Sequence, residues 1–92
     1  MKNKIKKLNV IKKKLCEEFP YIDLIITQQK DKIKLELYYC SLKNSTTNKF
    51  NMLDGGIKDR VIRKTKNLIK QYGLDYQISN YHKYIFFLSN KI

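Results

Sequence analysis

The single proline, Pro20, sits where the apolar period of the chain changes, and that change limits the folds open to it. Before it, Ile5, Leu8, Ile11, Leu15 and Phe19 recur at helical spacing and fall within an arc of about 120°. After it the period drops to two. Ile22, Leu24 and Ile26 alternate with Asp23, Ile25 and Thr27, and Ile33, Leu35, Leu37 and Tyr39 alternate with Lys34, Glu36, Tyr38 and Cys40. The pattern predicts a helix over residues 3–18 and then a hairpin with strands 21–28 and 32–40, turned at the polar run QQKDK. Pro20 ends the helix because the residue before a proline is pushed out of helical geometry.

The second half repeats the order. After SLKNSTTNKFNM, read as a polar loop over residues 41–52, Asp54 is placed to cap a helix from Gly55 to about Tyr72, with Gly73 as its left-handed terminator. Ile57, Val61, Thr65, Leu68 and Tyr72 share one face of that helix, flanked by Ile62 and Ile69. Two further strands are expected over residues 74–79 and about 83–89, joined by a tight turn near residues 80–82. Ninety-two residues make one domain. It divides into an αββ unit (1–40), a polar linker (41–53) and a second αββ unit (54–92). The expected architecture is α+β, in the order αββαββ: two helices on one face of a four-stranded, mainly antiparallel sheet, burying both apolar stripes against it. Matching positions such as Leu15 and Phe19 before Pro20, and Leu68 and Tyr72 before Gly73, suggest a pseudo-repeat. The order of elements is similar to one half of a LAGLIDADG homing endonuclease in topology alone. The motif of that family is missing, since the first helix is lysine-rich and ends Cys16-Glu17-Glu18-Phe19.

Charge is the second constraint. Lys and Arg total 20 against 8 Asp and Glu, a net +12, and 18 of the cations are Lys. Abundant Lys, Ile and Asn match an AT-rich genome such as a phage or other mobile element carries. That bias enriches acidic codons as well, so it does not account for the imbalance. The excess lies on the two helices: seven lysines and no acid in residues 1–14, and six cations against the lone Asp59 in residues 57–72. On the first helix Lys2, Lys6, Lys7, Lys13 and Lys14 oppose the apolar stripe; on the second, Arg60, Arg63, Lys64, Lys66 and Lys70 do so. A solvated helix face normally mixes signs, and seven like charges repel one another. A polyanionic partner is the physical reading of such a surface.

Chemistry has few candidates. Cys16 and Cys40 form no CxxC pair and lack a neighbouring histidine, so no metal site is expected and the two read as buried or idle thiols. His82, the only histidine, falls in a turn. Asp54-Gly55-Gly56 begins a helix without the glycine spacing or Lys-Ser/Thr of a phosphate-binding loop, which leaves capping as its role. Asp23 and Glu36 lie on paired strands and can share a face with Lys34, an arrangement that surface charge pairing explains better than metal-dependent cleavage. No run approaches the ~20 apolar residues of a membrane span, and no secretory pattern opens the chain, so a cytoplasmic, reducing setting is expected. Asn44-Ser45-Thr46 is then a chance match to a glycosylation sequon.

These observations lead to a non-enzymatic protein without cofactors that binds nucleic acid, DNA or RNA, with low sequence specificity. Lys6, Lys7, Lys13, Lys14, Arg60, Arg63, Lys64 and Lys70 are the residues expected on phosphate. The alternative is an inhibitor or adaptor that applies the same basic helices, or the polar loop, to an acidic host protein such as a defence nuclease. The other sheet face is a secondary surface. Tyr38, Tyr21 and one aromatic set of the last strand, either Tyr84 and Phe86 or Phe87, would there stack on unpaired bases or, with Ile25 and Ile85, meet a second copy of the chain.

Overall fold

The computed structural model describes residues 2–40 and 49–89. Helix α1 (Lys2–Glu18) is followed by strands β1 (Ile22–Gln28) and β2 (Lys32–Tyr39), a short 3-10 turn (Phe50–Met52), helix α2 (Gly55–Gln71) and strands β3 (Gln77–Ile78) and β4 (Ile85–Ser89). The sheet is antiparallel throughout, in the order β1-β2-β4-β3, so two hairpins join through their second strands. The α+β architecture and the αββαββ order are those the apolar periods predict.

Pairing of Leu24 with Leu37, Leu35 with Phe86 and Ile33 with Leu88 puts one parity of each strand on a common face. Those side chains are buried in a single apolar cluster with Leu8, Ile11 and Leu15 of α1 and Val61, Leu68 and Ile69 of α2. Both helices therefore cover the same face of the sheet. Two hydrogen bonds fix the path of α1 across it. The Lys4 ammonium donates to the Ser89 carbonyl at the end of β4 (2.6 Å), and the Cys16 thiol donates to the Ile22 carbonyl at the start of β1 (3.1 Å), so the helix crosses diagonally.

Helix α2 has the ends its sequence predicts. The Asp54 carboxylate accepts from the Gly56 N–H at 2.9 Å, satisfying a donor that the helix start leaves unpaired. At the other end Gly73 adopts φ +74°, and the Gly73 and Leu74 N–H groups return to the Lys70 and Ile69 carbonyls (3.0 and 3.1 Å). Thr65, the one buried polar residue among those described, donates its hydroxyl to the Val61 carbonyl (2.8 Å) and so enters the core satisfied.

Three expectations need correction. The strand expected over 74–79 shrinks to Gln77–Ile78, because Leu74 and Tyr76 leave the helix as core-packing side chains, Tyr76 edge-on to Phe86 at 5.5 Å, before ladder pairing begins. The final strand starts at Ile85 rather than 83, since Lys83 and Tyr84 belong to the turn that the Ile85 N–H to His82 carbonyl bond closes (3.2 Å). The polar loop is not wholly a loop: Phe50 is fully buried beside Tyr84, 5.7 Å between ring centres, and anchors the entry to α2. The sequon triplet at 44–46 and most of that loop lie outside the described residues.

The strand register also decides the second sheet face. Tyr84 and Phe86 belong to the core side and are buried, so they are no stacking platform there. Phe87, Ile85, Ile25 and Tyr38 occupy the other side. Of these, Ile85 is only 7% exposed, and Phe87 lies under the Lys32 ammonium at 4.4 Å. Tyr21 packs edge-on against Phe19 and Tyr39.

Phe50→Ala should cost about 3–5 kcal/mol of unfolding free energy. Met52→Ala, two residues on and 77% exposed, should stay within about 0.5 kcal/mol. Urea denaturation of the two variants beside the parent chain measures both.

Candidate nucleic-acid interface

Burial of one stripe on each helix determines where the cations emerge. On α1, Lys6, Lys7, Lys13 and Lys14 are exposed; on α2, Arg60, Arg63 and Lys70 are exposed and Lys64 is half-buried. All eight sequence-predicted residues thus stand on the solvent side of the helix layer, which itself covers one side of the sheet.

They fall into two sets. The Lys14 ammonium lies 5.7 Å from the ring centre of Tyr72, the residue that caps α2, and the Lys64 ammonium lies 3.1 Å from the Glu18 carboxylate. Position 14 meets 72 while 18 meets 64, so the helices run antiparallel, with Lys14 and Lys64 in the seam between them. Lys7, one heptad before Lys14, shares its flank, and Arg60, one turn before Lys64, shares that one. Arg60, Arg63 and Lys64 line a depression at the seam with Glu18, Phe19 and Asn67. Lys6 and Lys13 sit about 100° further round α1, and Arg63 and Lys70 about 100° or more round α2 from Lys64. The seam and the two outward ridges make one basic surface on the helix side of the molecule.

Few carboxylates offset it. The ion pairs among the described residues are Lys12 with Asp23 (3.7 Å), Lys34 with Glu36 (3.4 Å) and Lys64 with Glu18. Of the eight candidate residues only Lys64 takes part in one. The same pairs account for Asp23 and Glu36. Their register is that of the second sheet face, but the Asp23 carboxylate reaches Lys12 of α1 on the helix side, while Glu36 pairs with Lys34 and is also hydrogen-bonded to the Tyr38 hydroxyl.

Titration is perturbed away from this surface. Burial pushes the Cys16 thiol up, with the charge of Asp23 and the nearby Cys40 adding to it, so it stays protonated at neutral pH. Burial and then Glu36 raise the phenols of Tyr38 and Tyr84. Neither Cys16 nor Cys40 is in a disulfide, and both are half-buried. Among the described residues no group of three or more His, Cys, Asp or Glu side chains is placed to hold a metal ion, and no helix is long and apolar enough to cross a membrane.

A second basic region lies outside the eight residues expected from the sequence. Lys66 and Lys83 join Arg63 around a depression between α2 and the β3–β4 turn, floored by Ile62, and Lys58 lines the adjoining one. Lys66 was legible on the polar face of its helix. Lys83 and Lys58 reach the region through the turn and the helix start, which no local pattern reports. Comparison with protein-family models, curated proteins and solved structures gives no match to this chain.

Glu18→Gln removes the one carboxylate paired with a candidate residue. Both partners are about half-exposed, so unfolding free energy should change by less than about 1 kcal/mol. Leu15→Ala, in the buried stripe one turn away, should cost about 2–5 kcal/mol, and chemical denaturation separates the two effects.

Proposed function

We propose that the protein is a small, non-enzymatic nucleic-acid-binding protein that holds DNA or RNA by its phosphates, with little sequence discrimination. One observation carries this: the polar faces of both helices emerge on the same side, and seven of the eight candidate cations have no carboxylate partner among the described residues.

The arrangement of charge on α1 supports the same reading. Lysines crowd its N-terminus and Glu17 and Glu18 close its C-terminus, the reverse of what the helix dipole favours, at roughly 0.3–1 kcal/mol for each such charge. Helix stability is therefore not what these lysines serve. With 17 residues α1 is about 25 Å long, against ~3.4 Å per phosphate along one strand of a duplex, which brings several phosphates within reach. Lysine is a mobile point charge and supplies affinity without base readout, while Arg60 and Arg63 provide forked donors suited to phosphate oxygens. The nearly neutral remainder of the sheet lets the field act from one side.

Salt dependence is the test. If about five phosphates are engaged, fluorescence anisotropy with labelled 20-base-pair DNA should give a log-log slope of affinity against salt near −4.5. Substituting Lys6, Lys7, Lys13 and Lys14 together by Gln should bring the slope up by about 3 and weaken binding by at least tenfold at low salt. A flat salt response would remove the proposal. Retention of a partner from lysate after exhaustive nuclease digestion would point instead to an acidic protein.

A further inference from the structure

Tyr81 is 89% exposed, the most exposed large apolar side chain among the described residues. It does not hang from a loose segment. Its N–H donates to the Ser79 hydroxyl (3.2 Å), the Ser79 N–H donates to the Ile85 carbonyl (3.0 Å), and the Ile85 N–H closes on the His82 carbonyl (3.2 Å). The His82 ring lies 5.1 Å from that of Tyr84, and Tyr84 lies 5.7 Å from the fully buried Phe50. A chain of rings thus anchors the β3–β4 turn to the core while leaving the Tyr81 ring in water.

The surroundings of this ring are cationic. The two depressions between the turn and α2 share Asp59, Ile62 and Lys83; Lys58 and Tyr81 line one, Arg63 and Lys66 the other. Four cations face a single carboxylate, and α2 supplies three of them from successive turns. A projecting aromatic ring beside a positively charged groove is the combination that holds unpaired nucleotides: bases stack on the ring while the backbone follows the charge. Bases inside a duplex are already stacked on one another and offer no free face to such a ring.

We infer that the groove between α2 and the β3–β4 turn is a binding site for a single-stranded nucleic-acid segment, in which an unpaired base stacks on Tyr81 and its flanking phosphates are held by Lys58, Arg63, Lys66 and Lys83. This rests on the proposed nucleic-acid function and adds to it the strand state and a second contact surface. Arg63 belongs to both surfaces, so a strand leaving the groove continues onto the basic face of the helix layer. Asp59 is the one acid in the path; it disfavours a phosphate directly against it and accepts hydrogen bonds from exocyclic amino groups of a base.

The test uses the full chain with labelled 12-nucleotide oligo(dT), oligo(U) and a 12-base-pair duplex, titrated by anisotropy. Tyr81→Ala should weaken binding to the single strands about 5- to 50-fold and leave the duplex within about twofold. Tyr81→Phe should keep the parent affinity. Loss on oligo(dT) alone, or on oligo(U) alone, supports the site and names its strand. Ultraviolet cross-linking with 5-iodouracil in the same oligonucleotides should attach the peptide containing Tyr81. If Tyr81→Ala binds single strands like the parent while the parent retains its salt-dependent duplex binding, the groove is not the site and the broader proposal stands. If the parent chain binds none of the three polymers, both fall. A surface position this exposed gives a variant whose thermal unfolding should match the parent, which keeps a lost affinity from being mistaken for lost structure.

Discussion

The fold rests on one constraint: two amphipathic helices with only one apolar layer to share. Leu8, Ile11 and Leu15 of α1 and Val61, Leu68 and Ile69 of α2 enter the same cluster as the inward side chains of β1, β2 and β4. Once those stripes are committed, the helices have no freedom to rotate about their axes, and every lysine opposite a stripe must face water on the same side of the molecule. Position in the core and direction of the charge are thus one decision. The antiparallel seam, where Lys14 lies over Tyr72 and Lys64 meets Glu18, follows from the same packing.

The magnitudes decide that this arrangement holds in spite of its charge. Burying an aliphatic side chain of this size contributes roughly 1.5–3 kcal/mol, so the three fully buried residues of the α1 stripe outweigh the opposing electrostatics. Those comprise a few tenths of a kcal/mol for each like-charged pair one turn apart, such as Lys4 with Lys7, and the unfavourable charges at the two helix ends. Salt screens the repulsion further. A ligand carrying phosphates would relieve the same terms, so binding and stability are coupled: a polyanion on the helix face should favour the folded state beyond its contact energy.

How much of this was legible in the chain depended on whether a residue belonged to a period. The apolar stripes, the Asp54 cap and the Gly73 terminator are local patterns, and the helices and first hairpin formed where those patterns placed them. Phe50 was lost in a polar stretch because a lone aromatic has no period to report its burial. The last strand was ambiguous for the opposite reason. Tyr84-Ile85-Phe86-Phe87-Leu88 is apolar at both parities, so alternation cannot say which side faces the core, and only the pairing of Leu35 with Phe86 resolves it. The eight basic residues of the candidate surface could be read from a helical wheel. Their separation into a seam and two ridges could not, since it depends on how the helices meet, and neither could the pairing of Lys64 with a residue 46 positions away, Glu18.

The two αββ halves make the same topological turn but differ where the function is proposed. Hairpins joined through their second strands, with antiparallel helices above them, are what two units related by a two-fold axis would produce. Yet β1 has seven residues and β3 two. In the first half a long strand carries the chain straight into the QQKDK turn. In the second half Leu74 and Tyr76 pack on the core before pairing begins at Gln77, and after the Ser79 N–H bond to the Ile85 carbonyl the chain turns through residues 80–84 toward the flank of α2. The turn faces α2 across a groove, which sets Tyr81 and Lys83 opposite the cations of that helix. The two basic surfaces meet at Arg63: one follows from how the helices pack on each other, the other from the β3–β4 turn standing opposite α2.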